Sequence, residues 1–255
     1  MGQTKGPPVG AEATLSIGRP SGSGIDRAKI WLVMPAYNEG AVIGEVLDSI
    51  EPHGYRLVVV DDASDDDTLD VVRSKKWVDL LRHSLNLGQG AALQTGLEYA
   101  LRRGAEVIVT VDADGQHSVE DIAGLVRTLL DRGVDIVLGS RFLAASPECI
   151  RNIPRLKRWL LRAAIVYIRF ASRLRVTDAH NGLRAMTAAA ARRIDITQNR
   201  MAHATEILIR IRQTGMSYLE APVSVLYTEY SRKKGQKIWN SINILWESLF
   251  GGVRR

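Results

Sequence analysis

Val107-Ile108-Val109-Thr110-Val111-Asp112-Ala113-Asp114-Gly115-Gln116-His117 is the stretch on which the fold turns. Its first five residues are β-branched, and four of them are apolar, so they read as a buried strand. The strand breaks into carboxylates and a glycine, which favour a turn. The same break recurs upstream. Ile30–Met34 runs into Pro35-Ala36-Tyr37-Asn38-Glu39-Gly40, and Leu57–Val60 runs into Asp61-Asp62-Ala63-Ser64. Trp77–Leu81 and Ile136–Leu138 read as two further strands. Helical spacing separates them at Ala41–Ile50, Thr68–Ser74, Gly90–Arg102 and Val119–Asp131. This alternation predicts an α/β fold with a mostly parallel central sheet flanked by helices. In such sheets ligands bind beyond the carboxyl ends of the strands, where the acidic groups fall. The first strand is not followed by Gly-x-Gly-x-x-Gly, and no P-loop is present, which argues against a dinucleotide enzyme and a P-loop nucleotidase.

The acidic strand ends suggest chemistry. Two carboxylates at i and i+2, Asp112 and Asp114, can address one ion where a strand becomes a turn. Hard divalent cations take oxygen ligands, and Mg²⁺ commonly uses one or two carboxylates plus substrate phosphates. Gln116 offers a third oxygen; the plain alternative is a turn that merely favours Asp and Gly. Asp61 can accept a hydrogen bond from a base or a ribose, with Tyr37 and Glu39 beside it. Asp65, Asp66 and Asp67 read mainly as helix-capping groups.

Composition sets limits around this core. The 255 residues carry a net charge of +6, but it is divided. Residues 1–147 hold 14 Lys/Arg against 21 Asp/Glu, and residues 148–255 hold 20 against 7. A uniformly basic nucleic-acid binder is not expected to look like this, and no nucleic-acid partner is expected. The single cysteine, Cys149, allows no internal disulfide. No stretch approaches the ~20 apolar residues of a membrane span, and no signal peptide is evident. A cytoplasmic protein, peripheral on the cytoplasmic face of a membrane, is the expectation.

Taken together, Pro35–Glu39, Val59–Ser64, Asn86-Leu87-Gly88-Gln89-Gly90, Asp112–His117, Gly139-Ser140-Arg141, Asp178–Arg184 and Tyr227–Lys237 resemble the ordered motifs of family 2 glycosyltransferases. Within that family they most resemble dolichyl-phosphate mannosyltransferases and bacterial polyprenyl-phosphate glycosyltransferases. The resemblance spans about residues 29–250 and implies a GT-A type, Rossmann-like sheet. It implies a donor, a UDP- or GDP-linked sugar, whose nucleoside is held by Pro35, Tyr37, Glu39, Val59 and Asp61. Asp112, Ala113 and Asp114 would meet the ribose and diphosphate, with Asp112, Asp114 and Gln116 around Mg²⁺ or Mn²⁺. Arg141 would contact phosphate, and Arg232 and Lys237 would close over the diphosphate. Asp114, Arg141 and Arg232 are thus the expected catalytic set. Two departures stand out: Gln89 replaces the usual Lys, and Gly235-Gln236-Lys237 replaces Gly-x-Ser-Lys.

The expected organisation is a disordered arm over 1–28, a catalytic domain over 29–226, and a basic loop with an amphipathic helix over 227–255. Within the domain, 150–176 reads as a basic amphipathic segment facing acceptor and membrane. From Cys149 to Thr177 there are eight basic residues and no acidic ones. Lys157, Arg158 and Arg162, interleaved with Trp159 and Leu160, suit an anionic membrane surface and an acceptor phosphate; a solvated face is the alternative. The expected acceptor is a polyprenyl phosphate, already anionic at neutral pH. Its attack is expected to invert the anomeric carbon without a general base. A saccharide hydroxyl acceptor is the competing reading, with Glu206 as candidate base. A dehalogenase-type phosphatase, suggested by Asp112-x-Asp114, wants Thr or Val where Gln116 stands. The lack of a span leaves room for a separate membrane protein as partner.

Overall fold

The structure, a computed structural model, describes residues 25–143, 174–178, 181–200 and 202–224. Their centre is a seven-stranded sheet in the order β3-β2-β1-β4-β6-β5-β7. The strands are β1 Ile30–Ala36, β2 Arg56–Asp61, β3 Asp79–Arg82, β4 Val107–Thr110, β5 Ile136–Ser140, β6 Arg184–Thr187 and β7 Tyr218–Pro222. The helices are α1 Gly40–Ile50, α2 Thr68–Ser74, α3 Gln89–Arg102, α4 Val119–Arg132, α5 Ala188–Ala191 and α6 His203–Gln213. β1 is buried along its whole length, as expected for the middle of a sheet covered on both faces. β1 pairs in parallel with β2 and β4, β2 with β3, and β5 with β7, whereas β6 runs antiparallel between β4 and β5.

Alternating side chains send two cores to opposite faces. Leu32, Met34, Leu57 and Val109 pack with Ile43 and Leu47 of α1 and Ile122, Leu125 and Leu129 of α4. Trp31, Val33, Val58 and Ile108 pack with Leu93 and Leu97 of α3 and Ile207, Leu208 and Ile211 of α6. Gly96 lets α3 approach the sheet, because a Cβ there would lie 2.4 Å from Val33 Cγ1. Ser118 caps α4 by accepting from the Asp121 amide, as its position before an acidic first turn predicts.

Two expected boundaries shift, and three elements are new. Ile25 packs against the core and the Asp26 side chain caps a 3-10 turn at Arg27–Lys29, so any N-terminal arm ends before residue 25. The third strand starts at Asp79 rather than Trp77, because the Val78 amide closes a turn onto the Lys75 carbonyl. β6, β7 and α5 were not anticipated. Residues 150–173 of the segment expected at 150–176, and all of the segment expected at 227–255, lie outside the described residues, as do Lys157, Arg158, Arg162, Arg232 and Lys237. Among the described residues no helix is long and apolar enough to cross a membrane.

Candidate active site

The carboxyl ends of β1, β2, β4 and β5 open onto one edge of the sheet, and antiparallel β6 starts there. Tyr37, at the end of β1, is 44% exposed on that edge. The loops after β1 and β2 are stitched together. The Asn38 amide donates to Ser64 Oγ (3.0 Å), the Asp65 amide to Asn38 Oδ1 (3.0 Å), and the Glu39 amide to Thr68 Oγ1 (2.8 Å). Asn38 and Ala63 both have left-handed backbones, with φ of 54° and 60°, a conformation that non-glycine residues adopt at some cost. Asp66 has the expected capping role, but on two helices: it accepts from the amides of Thr68 and Gly40.

Asp61 is fully buried. Its Oδ1 accepts from the Ser64 amide (3.2 Å). Its Oδ2 lies 3.2 Å from Arg82 Nε yet receives no well-aligned hydrogen bond. Burial with an unsatisfied acceptor suits a ligand-binding carboxylate, and unmet acceptors of this kind need a physical reason. Pro35, Val59 and Ala113 are also buried, Val59 and Ala113 within the apolar core. Buried in this way, they do not present exposed side chains on that edge.

Asp62, adjacent in sequence, does something else. It is 2% exposed and accepts from the amides of Leu87 (3.0 Å) and Gly88 (2.7 Å), with His83 Nδ1 at 2.7 Å. The glycine-rich segment is thus tied to β2. Gly88 (φ 103°) and Gly90 also lie against the 198–199 backbone, where a Cβ would come within 2.3 and 2.0 Å of the Asn199 and Gln198 carbonyl oxygens. These glycines serve close packing.

Asp112 is the electrostatic centre. Gln89 Nε2 donates to its Oδ1 (3.0 Å), and His117 Nε2 stands 3.5 Å from its Oδ2. Burial opposes its ionisation, but His117, Arg184 and His203 hold the carboxyl below the usual range. Asp114 goes the other way: burial and then the Asp112 charge push its carboxyl up to about 6. Arg184 is 3% exposed and works between two carboxylates, Asp112 and Asp178. Burial, then Arg184, brings His203 down to about 4. Gly182 leaves the necessary space, since a Cβ there would lie 2.0 Å from Asp112 Oδ2.

Arg141 reaches the same edge after β5. Asp178 holds its guanidinium through Nε (2.6 Å) and Nη2 (2.9 Å), a bidentate grip that fixes the fork's orientation. Asp178 is placed in turn by Glu220 of β7, which accepts from the amides of Thr177 and Asp178. Glu206 is not poised as a base. It accepts from the amides of Thr197 (3.0 Å) and Gln198 (2.8 Å) and from Thr197 Oγ1 (2.6 Å), holding that loop to α6.

The fit to a divalent cation can be judged on donor chemistry. Among the described residues no three His, Cys, Asp or Glu side chains gather as a metal cluster. The protein's own contribution is the oxygen set of Asp112 and Asp114, with Gln116 next to them. That suits a hard cation completed by substrate phosphates. Burial and then the Asp112 charge raise the Asp114 carboxyl, and a divalent cation bound there would offset both. The residues present therefore fit.

Sequence reasoning placed Tyr37, Glu39, Asp61, Asp112 and Asp114 on one edge and the resemblance added Arg141 as a phosphate contact; the structure brings all six to that edge. It missed the supporting groups Asp62, His83, Gln89, Asp178, Arg184 and His203. For Asp62, Gln89, Asp178 and Arg184 the only signal was a motif match; nothing in the spacing announced the contacts of His83 and His203.

Comparison with known proteins adds the wider context. The model of glycosyl transferase family 2 matches residues 31–198. An uncharacterised protein of Methanocaldococcus jannaschii is 36% identical over 229 residues, spanning 88% of this chain and 93% of its own length. The UDP-N-acetylglucosamine–dolichyl-phosphate N-acetylglucosaminyltransferase of Methanococcus voltae is 30% identical over 240 residues, 86% of this chain and 94% of its own. The polyprenol monophosphomannose synthase of Mycolicibacterium smegmatis is 27% identical, with coverage of 85% and 86%. The crystal structure of S. aureus TarS 1-349 superposes with a TM-score of 0.53 at 18% identity, covering 88% of this chain and 72% of that one, which is a likeness of GT-A fold.

Proposed function

The chain belongs to glycosyl transferase family 2 and is a glycosyltransferase, and we propose that it moves a hexose from a nucleotide-diphosphate sugar to a polyprenyl phosphate at a membrane surface. The observation that carries this reading is the convergence of Asp61, Asp112, Asp114 and Arg141 on one sheet edge. It is supported by relatives, aligned over most of their length, whose names specify a dolichyl phosphate acceptor and a polyprenol monophosphomannose product.

In this reading Asp61, Tyr37 and Glu39 bind the nucleoside. Asp112 and Asp114, with Gln116, hold Mg²⁺ or Mn²⁺ against the donor diphosphate. When bound, such a cation supplies positive charge to the leaving group. The acceptor phosphate is already an oxyanion, so it needs a cation to place it rather than a base to deprotonate it. Arg141, its fork aimed by Asp178, is suited to that task. A phosphate oxygen attacks the anomeric carbon as the bond to the diphosphate oxygen breaks. The electron pair leaves on the nucleoside diphosphate, and a single displacement inverts the centre. A saccharide hydroxyl acceptor would require a base, and Glu206 is committed to the Thr197–Gln198 amides. Arg232 and Lys237 would cover the diphosphate. Lys157, Arg158 and Arg162 would face the anionic membrane surface, where a separate membrane protein would be a neighbour.

Binding of UDP- and GDP-sugars, each with and without Mg²⁺ or Mn²⁺, tests the donor half. Product analysis with radiolabelled donor and undecaprenyl phosphate tests the acceptor half. A lipid-linked sugar of inverted configuration is the expected product. Failure of every nucleotide to bind with metal would sink the reading, and transfer only to saccharide hydroxyls would overturn the acceptor assignment.

A further inference from the structure

Gln89 opens α3, at the end of the loop that leads from β3. Its amide nitrogen meets Asp112 Oδ1 at 3.0 Å. A carboxylate only accepts, so the amide must present its NH₂ here. The position is rigidly supported. Asp62 fixes the two preceding amides, and His83 joins Asp62 to Thr95 on α3 through Nε2 at 3.0 Å. The Gly90 amide donates to the Asn199 carbonyl at 2.7 Å. A hydrogen bond from so fixed a base orients the carboxylate that receives it.

The other groups that face Asp112 are His117, Arg184, His203 and Asp114. Arg184 is the permanent cation among them. With both carboxylates ionised, two negative charges stand against one positive charge. A neutral donor at position 89 preserves that excess for a divalent cation, whereas a lysine there would cancel it.

We propose that Gln89 is a positioning residue that orients Asp112 for a divalent cation without adding a second permanent positive charge beside it, and so sets the metal affinity of the donor site. This rests on the metal-dependent reading above. The test is Mn²⁺ binding to the full chain in the presence of UDP or GDP, followed by electron paramagnetic resonance of free Mn²⁺. Gln89→Met keeps the length and removes the donor; Gln89→Lys keeps a donor and adds charge. Gln89→Met is expected to weaken Mn²⁺ binding about tenfold, the scale of lost support to a metal ligand, and Gln89→Lys to weaken it further. Metal-free nucleotide affinity and the thermal midpoint of Gln89→Met should stay near wild type. Wild-type Mn²⁺ affinity in folded Gln89→Met overturns the orienting role, and wild-type affinity in Gln89→Lys overturns the charge argument. Should Gln89→Met fold poorly, Gln89→Leu takes its place under the same criterion. If the unsubstituted protein binds nucleotide but no Mn²⁺, the metal-dependent reading falls and this inference with it.

Discussion

Lowering the pH from 7.5 to 5 should destabilise the protein through His203 in particular. Its ring is 3% exposed and its pKa is lowered from 6.5 to about 4 by burial and then by Arg184. The unfolded chain takes up a proton near 6.5 that the folded site refuses. Stability is therefore lost as pH falls through 6.5, and the loss saturates below about 4. Linkage puts the penalty at about 2 kcal/mol at pH 5, against almost nothing at pH 7.5. Taken alone, the His203 contribution in a chain of this size corresponds to a fall of about 4–8 °C in thermal midpoint. Asp114 contributes with the opposite sign, because its carboxyl, held at about 6, takes a proton more readily folded than unfolded. The measurement must isolate His203, so urea unfolding is compared between wild type and His203→Leu at both pH values. The variant loses the ring's 2.7 Å hydrogen bond to the Arg200 carbonyl, worth about 1 kcal/mol at every pH. The gap between the proteins should therefore narrow on acidification and then reverse by about 1 kcal/mol. Parallel loss of stability in the two proteins would refute the reasoning.

Two further outcomes follow from the same cluster. Gly182→Ala should lower transfer activity at least tenfold and cost about 1–3 kcal/mol, because the new Cβ would press on Asp112 Oδ2; denaturant unfolding and initial rates check it, and an unaltered rate would contradict it. In metal-free protein at pH 7.5, Asp114→Asn should stabilise by about 2 kcal/mol, allowing for solvent screening. It removes a carboxyl ionised at a cost beside Asp112, so the gain should vanish below about pH 4, and a gain independent of pH would count against the assigned cause.

The order of elements was legible because each central strand is a short apolar run that stops at a polar group. Ile30–Met34 and Val107–Val111 can hardly be anything but buried, and a parallel sheet needs the helices between them. β6 was not legible: Arg184-Ala185-Met186-Thr187 is four residues long and begins with an arginine, which only the neighbouring carboxylates make tolerable inside. β7 was hidden for a similar reason, since Glu220 and Pro222 disguise a strand whose glutamate is consumed by the Thr177 and Asp178 amides.

The sequence alone determined the alternating α/β architecture, the placement of Asp61, Asp112 and Asp114 at strand ends, and the family resemblance. Those follow from local patterns, because burial and turn chemistry are written in adjacent residues. Only the tertiary structure decided that Asp62 is an anchor while Asp61 keeps an unmet acceptor, that Arg141 is gripped by Asp178, and that Glu206 holds a loop. It also decided that Gln89 meets Asp112 across 23 positions of sequence. A side chain's role depends on which partners reach it first. Those partners come from strands and loops that the sheet brings together only on folding.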